Sequence, residues 1–452
     1  MVVNNARMVR VFRDPVHNII SFHKKRDRLF LDLVDSREMQ RLRRIRQLGF
    51  SYVTYLGAEH SRFAHSLGCA HLMKRMVDKL AELRDDNKDG GLLNSIQDYR
   101  ELLICAAILH DVGHGPFSHI LEKVTGKKHE HWTREIIMDP TTEVNQILAA
   151  HNKDYPQKIG EIIAKVFVPQ YVVKLLSSQM DVDRIDYLLR DSLMTGADYG
   201  SFDLEWLLRS LAVGDVQGNT EIGIHYKKGQ MVAEDFILAR RAMYLQVYFH
   251  KTTRSAEVLI RSILRRAIDL TDNGVSLSEY RPVQLLLQKQ PLTTGQYLGL
   301  DDHVLMYHFH KWQGHKDTVL SDLCSRLLNR KLLKSISFDD YPENYVDLTI
   351  TLRKACDEAG LPHQYYLAED KAPHSSYKDF YIVSKQTSEE TEEEVNREVS
   401  ERVYLFRSNQ DAVELSVASE IISALRNKKI YIKRLYYPRE IEETVKQVFG
   451  GG

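Results

Sequence analysis

Residues 102–122 read LLICAAILHDVGHGPFSHILE, and the fold turns on how this stretch is read. The unbroken apolar run from Leu102 to Leu109 predicts a buried helix ending at His110-Asp111. Gly113 and Gly115 break it, and Pro116 suits the first turn of a following helix. The His-Asp pair therefore stands at a helix end facing a loop. An imidazole beside a carboxylate offers one nitrogen and one oxygen to a divalent ion, a set suited to zinc, manganese, iron and similar metals. Alone, such a pair is as readily structural. The following GHGPFSH turns the reading toward a site, because glycines allow close backbone approach and two more histidines gather in the same loop.

Upstream, EHSRFAHSLG places His65 three positions after Arg62, on one face of a helix. Downstream, QMDVDRIDYLLRDS (residues 179–192) mixes Asp181, Asp183, Asp186 and Asp191 with apolar Ile185, Leu188 and Leu189. Carboxylates so crowded on a half-buried helix repel one another unless a cation or an arginine offsets them. A metal accounts for the pattern, and a solvated acidic face is the alternative. Isolated histidines such as His151 and His303 read as surface or satisfied core.

Around this centre the chain patterns as helix. Asp35 to Leu48, DSREMQRLRRIRQL, opens with an Asp-Ser cap signal and repeats Met39, Leu42, Ile45 and Leu48, predicting an amphipathic helix. Further helices are expected over 61–84, 97–111, 117–125, 158–167, 171–192, 203–213 and 231–270. Residues 9–23 read as a short strand or hairpin, and 219–231 as a small peripheral hairpin. After about residue 275 the pattern mixes helical HVLMYHFHKW and LCSRLLNRKLL with strand-like YVDLTITL, YYLAED, DFYIVS, RVYLF and KKIYIKRLYY. The expected fold is mainly α: a helical core in residues 1–274 and a smaller C-terminal α+β portion in 275–452, regulatory or oligomerising. The acidic run at 386–401 reads as a solvated loop or exposed helix.

Composition sets the outer bounds. Of 452 residues, 43% are hydrophobic and 27% charged, the balance of a chain folded nearly throughout. Lysine plus arginine equals 62, as does aspartate plus glutamate, so no global field favours nucleic acid or an acidic membrane. Four scattered cysteines without a CxxC pair disfavour a disulfide framework or a thiolate zinc site, and fit a reducing cytoplasm. No stretch reads as a signal core or membrane span.

The ordered series of His65, His110-Asp111 and Asp183 resembles the HD superfamily of phosphohydrolases. The runs DPVHNII, MQRLRRIRQLG, HSRFAHSLG, LHDVGHGPFSH and DVDRIDYLLRD, spread over about residues 9–260, look like the deoxynucleoside triphosphate triphosphohydrolases, including the vertebrate type with an added sterile-alpha-motif domain. No such segment is expected in the few residues that precede them in this sequence. The resemblance implies an HD-domain core that cleaves a dNTP into deoxynucleoside and tripolyphosphate, using a divalent ion (Mg, Mn, Zn, Fe, Co or Ni) held by His65, His110, Asp111 and Asp183. It implies Arg62, Arg184, Arg240 and Lys251 as triphosphate clamps. His114, His119 and His129 would be the catalytic histidines, with His119 or His129 as general acid. Glu122, one turn after His119, would orient it, where close relatives carry aspartate. Gln47 and Asp191 would read the sugar 3′-hydroxyl, Leu48 and Tyr248 would pack on sugar and base, and Tyr187 would close the sugar pocket. A homotetramer activated by GTP, dGTP or a dNTP is also implied, with Arg10, Val11, Asp35, Gln40 and Arg43 at the activator and Arg13 replacing an asparagine. Two other classes remain open: another HD phosphohydrolase, acting on cyclic nucleotides, monophosphates or guanosine alarmones, and a nucleotide-sensing or nucleic-acid-binding module. Without the resemblance, residues 41–48 read as a solvated basic face and Tyr244, Tyr248 and Phe249 as core.

Overall fold

The computed structural model describes residues 8–86, 96–117, 119–338, 345–375, 402–426 and 429–450. Side chains of a few residues within these ranges, His119 among them, lie outside the description. The architecture is mainly helical with three small sheets.

The chain opens with the expected hairpin, β1 (Val9–Asp14) paired antiparallel to β2 (Asn18–His23). Asp14 shapes its turn, Oδ1 accepting the backbone N–H groups of Val16 and His17 at 3.0 and 2.9 Å. Three helices then build the centre. Arg62–Asp86 packs against both Arg100–Leu109 and Val182–Thr195. Every residue from Leu102 to Leu109 is buried, as the unbroken apolar run requires. Val182–Thr195 starts at an Asp181 cap, whose carboxylate accepts the Arg184 N–H at 2.7 Å. It stops at Gly196, which takes the left-handed conformation at φ 69°.

Several local expectations change; among them, the helix predicted over 231–270 is two, Tyr226–Met243 and Lys251–Asp272, separated by a π turn at Tyr244–Tyr248. The Asp35–Leu48 helix is split. Asp35 ends the helix Arg28–Asp35, Ser36 caps Arg37–Arg41, a 3-10 turn covers Leu42–Arg44, and Ile45 is extended. The apolar spacing there is three at every step, which fits a 3-10 turn as well as an α-helix. Residues 171–192 form two helices, Gln170–Leu176 and Val182–Thr195. The helix predicted over 203–213 stops at Arg209 and yields to β3 (Leu211–Val216), which pairs with β4 (Asn219–His225). YVDLTITL is helical, within Tyr345–Glu358. Its buried Tyr345, Thr349, Leu352 and Cys356 follow a helical spacing that its β-branched residues obscured.

The β3–β4 hairpin is also not peripheral. β4 pairs in parallel with β7 (Tyr404–Ser408), which pairs with β8 (Asp411–Glu414), so a C-terminal segment completes a four-stranded sheet on the helical core. Val403, Leu405, Leu415 and Ile422 belong to the same apolar cluster as the helices of residues 62–195. A second cluster joins Phe50, Phe117 and Trp132 to Lys251–Asp272, Arg281–Leu287, Asp302–Gln313 and Thr318–Leu328. A third sheet orders β5 (Lys334–Phe338), β9 (Lys429–Tyr437) and β6 (Ala368–Ser375), with β9 central. The segments DFYIVS and 386–401 lie outside the described residues. No helix among the described residues is long and apolar enough to cross a membrane.

Candidate active site and metal centre

Three helix ends bring the candidate ligands together. His65 sits in the first turn of Arg62–Asp86, His110 and Asp111 follow Arg100–Leu109, and Asp183 lies in the first turn of Val182–Thr195. His65 Nε2 is 3.0 Å from Asp183 Oδ1, 3.3 Å from His110 Nε2 and 3.8 Å from Asp111 Oδ2. His110 Nε2 lies 3.5 Å from Asp111 Oδ1 and 3.7 Å from Asp183 Oδ1. Ligand atoms about 2.1 Å from a common ion stand about 3.0–3.4 Å apart, so His65, His110 and Asp183 are spaced for one divalent cation, while Asp111, which also gathers with His114 and His129, stands at the edge of that set.

The hydrogen bonds make the same point. His65 Nδ1 donates to Asp186 at 2.8 Å and His110 Nδ1 donates to the Ala107 carbonyl at 2.9 Å. Each ring thereby presents an Nε2 lone pair to the other, an arrangement that demands either extra protons or a cation between them. Burial pushes the Asp183 carboxyl up, but His110 and His65 outweigh it and hold the group well below the usual carboxylate range. The donor set of two imidazoles and two carboxylates fits a hard or borderline divalent ion. Buried Cys69 lies near, its Sγ 3.6 Å from His65.

Asp111 faces a second group. Arg62 Nη1 donates to its Oδ2 at 2.6 Å, and His114 Nε2 lies 3.2 Å from its Oδ1. The His114 ring stacks on His129 at 3.7 Å and 17°. Burial, with the nearby Arg62 and His129, lowers the His114 imidazole well below its ordinary range. Glu122 accepts from His129, at 2.5 Å from its Nδ1 and 3.2 Å from its backbone N–H. His119 opens the helix His119–Thr125, and its side chain is outside the described residues.

Several of the expected nucleotide residues are joined to one another by contacts. Asp191 accepts from His60 at 2.7 Å and from the Tyr248 hydroxyl at 2.8 Å, and Tyr248 meets Tyr187 edge-on at 6.1 Å. Tyr187 feels the charges of Arg240, Arg184 and Asp183, which places all four in one neighbourhood. Leu48 packs half-buried on the main core. The Arg184 guanidinium bonds Asp181 and the Ser178 carbonyl. Gln47 Oε1, His60 Nδ1, Arg184 Nε and Arg240 Nε are buried without a hydrogen-bond partner among the described residues. Lys251 begins the helix Lys251–Asp272 and is exposed.

A further group gathers on the hairpin side. Arg10 pairs with Asp35 at 2.5 Å, Arg43 Nε donates to Gln40 at 2.8 Å, and Arg43 carries the electrostatic influence of both Arg10 and Asp35. Val11 is exposed beside them on β1.

Sequence reasoning missed four contributors. Asp186 was read only as one of a crowd, although its place one turn after Asp183 and one before Arg190 was a signal. His60 orients Asp191. Gly68 admits the Asp186 carboxylate, since a Cβ there would fall 1.8 Å from Asp186 Oδ1. Arg41, fully buried, donates to the Leu300 carbonyl at 2.9 and 2.7 Å and to the His114 carbonyl at 2.8 Å, with no local signal to announce it.

Comparison with known proteins agrees with this geometry. The HD domain model matches residues 62–191, which span His65, His110, Asp111 and Asp183. The chain is 40% identical over 433 residues to the uncharacterized protein YwfO of Bacillus subtilis, covering 96% of this chain and 93% of that one. It is 29% identical to the deoxynucleoside triphosphate triphosphohydrolase SAMHD1 of Danio rerio over 57% of this chain and 45% of that protein. A phosphohydrolase of Bacteroides thetaiotaomicron superposes with a TM-score of 0.78 at 27% identity, covering 95% of this chain and 100% of the other. With a His/Asp cluster able to hold a divalent metal and a relative this similar along nearly its whole length, the chain belongs to the HD-domain metal-dependent phosphohydrolases, in the family of YwfO.

Proposed function

We propose that the protein hydrolyses dNTPs to deoxynucleoside and tripolyphosphate. The observation that carries this reading is the set of buried polar atoms without partners among the described residues. Gln47 Oε1, Arg184 Nε and Arg240 Nε belong to residues expected to hold a nucleotide, and His60 Nδ1 belongs to the residue that orients Asp191. The similarity to SAMHD1 supports the same substrate class.

In this reading water attacks the α-phosphorus, the bond to the 5′ oxygen breaks, and that oxygen takes a proton. A divalent ion held by His65, His110, Asp111 and Asp183 would supply Lewis acidity toward phosphoryl oxygen and activate water. Arg62 holds Asp111 in place and lends positive charge to the phosphate side of the site. His129, fixed through Nδ1 by Glu122 and stacked on His114, is the proton donor we assign. Arg184, Arg240 and Lys251 offer positive charge to the triphosphate. Asp191, held by His60 and Tyr248, with Gln47, receives the sugar hydroxyl. Tyr187, edge-on to Tyr248, is the residue we assign to exclude a 2′-hydroxyl.

The reading extends to a cytoplasmic homo-oligomer, a tetramer, that binds GTP, dGTP or a dNTP as activator at Arg10, Val11, Asp35, Gln40 and Arg43. The test is incubation of metal-reconstituted protein with each dNTP, alone and with GTP, with products resolved by ion exchange and mass spectrometry. Deoxynucleoside with intact tripolyphosphate, lost in folded His110→Ala and Asp111→Ala variants, is expected. Monophosphate or orthophosphate as first product would move the assignment to another HD hydrolase, and no turnover in any mixture would favour a nucleotide-sensing module.

A further inference from the structure

The hairpin of β1 and β2 is remote in sequence from every ligand, yet its turn reaches into the centre. His17, in that turn, donates from Nε2 to Asp186 Oδ1 at 2.7 Å, with the His17 side chain 1% exposed and that of Asp186 0%. The other carboxylate oxygen, Asp186 Oδ2, takes the Nδ1 proton of His65 at 2.8 Å. Arg190 clamps the same carboxylate with Nε on Oδ2 at 2.8 Å and Nη2 on Oδ1 at 3.0 Å. Its remaining Nη1 donates to Asp14 Oδ2 at 2.7 Å, and Asp14 is the residue whose Oδ1 shapes the hairpin turn. The chain of contacts thus closes on itself, from turn to Asp186 to His65 and from Asp186 through Arg190 back to the turn.

Two independent features show a built arrangement. Gly68 lies one helical turn beyond His65, and any side chain there would collide with Asp186 Oδ1 at 1.8 Å and Arg190 Nη2 at 2.6 Å. All the linking polar groups are buried, where a fixed hydrogen bond orients a ring strongly and a lost one is costly. A carboxylate on the far nitrogen of a metal-binding imidazole sets the tautomer, the ring plane and the basicity of the ligand nitrogen.

We infer that Asp186, His17 and Arg190 are positioning residues for the ligand His65, which makes the N-terminal hairpin a working part of the metal centre. None of them touches the ion or the substrate. Asp186 fixes the His65 ring so that Nε2 faces His110 and Asp183, while His17 and Arg190 fix Asp186. The inference rests on the four-ligand reading of the centre, and its test separates the two.

Apo-protein of wild type, His17→Ala, His17→Gln, Asp186→Asn and His110→Ala is titrated with Co2+ against a chromophoric chelator. The visible spectrum of the Co2+ form and the thermal melt of the apo-protein are recorded alongside. His110→Ala is expected to lose binding, which tests the ligand set. Asp186→Asn and His17→Ala are expected to weaken Co2+ binding roughly 10- to 100-fold and to shift the visible bands. His17→Gln, which keeps a donor toward Asp186, is expected to recover most of the affinity. If His17→Ala fails to fold, the nearly isosteric Asp186→Asn decides the matter. Unchanged affinity and spectrum in Asp186→Asn, with binding lost in His110→Ala, would overturn the positioning role alone. Unchanged binding in His110→Ala would overturn the metal reading and this inference with it. A lowered melting point with no change in affinity or spectrum would make the network structural only.

Discussion

Gly68→Ala is the substitution whose sign most sharply tests the geometry. Gly68 lies inside the helix Arg62–Asp86, where replacing glycine with alanine ordinarily stabilises by about 1 kcal/mol. Here the added methyl would stand 1.8 Å from Asp186 Oδ1, 2.5 Å from Asp186 Cγ and 2.6 Å from Arg190 Nη2. The carboxylate would have to retreat by more than about 1 Å to escape the overlap. Its bonds to His17 at 2.7 Å and His65 at 2.8 Å would then stretch beyond hydrogen-bond range. Two charge-assisted hydrogen bonds are worth roughly 1.5–3 kcal/mol each, so against the propensity gain the variant should lose about 2–5 kcal/mol. Urea unfolding of the metal-free protein, followed by circular dichroism, measures this. A midpoint at or above that of wild type would refute the argument, because it would mean that Asp186 moves freely and is not held as described.

Two other expectations concern the histidines. Glu122→Gln keeps the shape but removes the charge behind His129. The kcat for the phosphate substrate should fall by a part of the ~10²–10⁴-fold that a general acid contributes, with KM little changed. A rise in KM at constant kcat would instead assign the pair to binding. His71 is lowered to about 4 by burial, with the charges of His17, Arg75 and Lys74 adding to it. A histidine whose folded pKa is depressed leaves the unfolded chain binding more protons between that value and about 6.5, so its contribution to stability is full above about pH 6.5 and is lost as pH falls toward 4. The urea midpoint of the apo-protein should drop over that window, and less so in His71→Gln; equal slopes would show that His71 is not the group responsible.

The chemistry was more legible in the sequence than its support. His110-Asp111 could be placed because an apolar run with helical length ends there against glycines, and local pattern alone fixes that. His65 Nε2 and Asp183 Oδ1 stand 3.0 Å apart although 118 residues separate them. Their role was read from residue type and order and not from periodicity. Where the sequence misled, two periods competed. Met39, Leu42, Ile45 and Leu48 repeat at three, and the chain took a short helix, a 3-10 turn and an extended Ile45. In residues 345–352 β-branched side chains masked a helical repeat. The bond between Glu122 and His129 links a helix to the start of the next, a contact that no periodicity within one helix describes.

The support for the His-Asp loop comes from segments that nothing local could connect to it. Tyr297 donates its hydroxyl to the Gly113 carbonyl at 2.7 Å and stacks on Trp132 at 3.8 Å, three residues beyond His129. Asp302 accepts the Phe117 N–H at 2.9 Å and the Arg46 N–H at 2.9 Å. Arg41 ties the Leu300 carbonyl to that of His114. A loop rich in glycine has many conformations to lose, and each buried anchor removes some of them before any ligand arrives. Gly113 and Gly115 are then needed for a second reason, since a Cβ at either would strike Thr133 or Tyr297, the groups that hold the loop. The region around residues 297–302 therefore acts on the centre through contact, by setting where His114 and His129 stand. A change there would reach the chemistry while leaving every ligand in the sequence untouched.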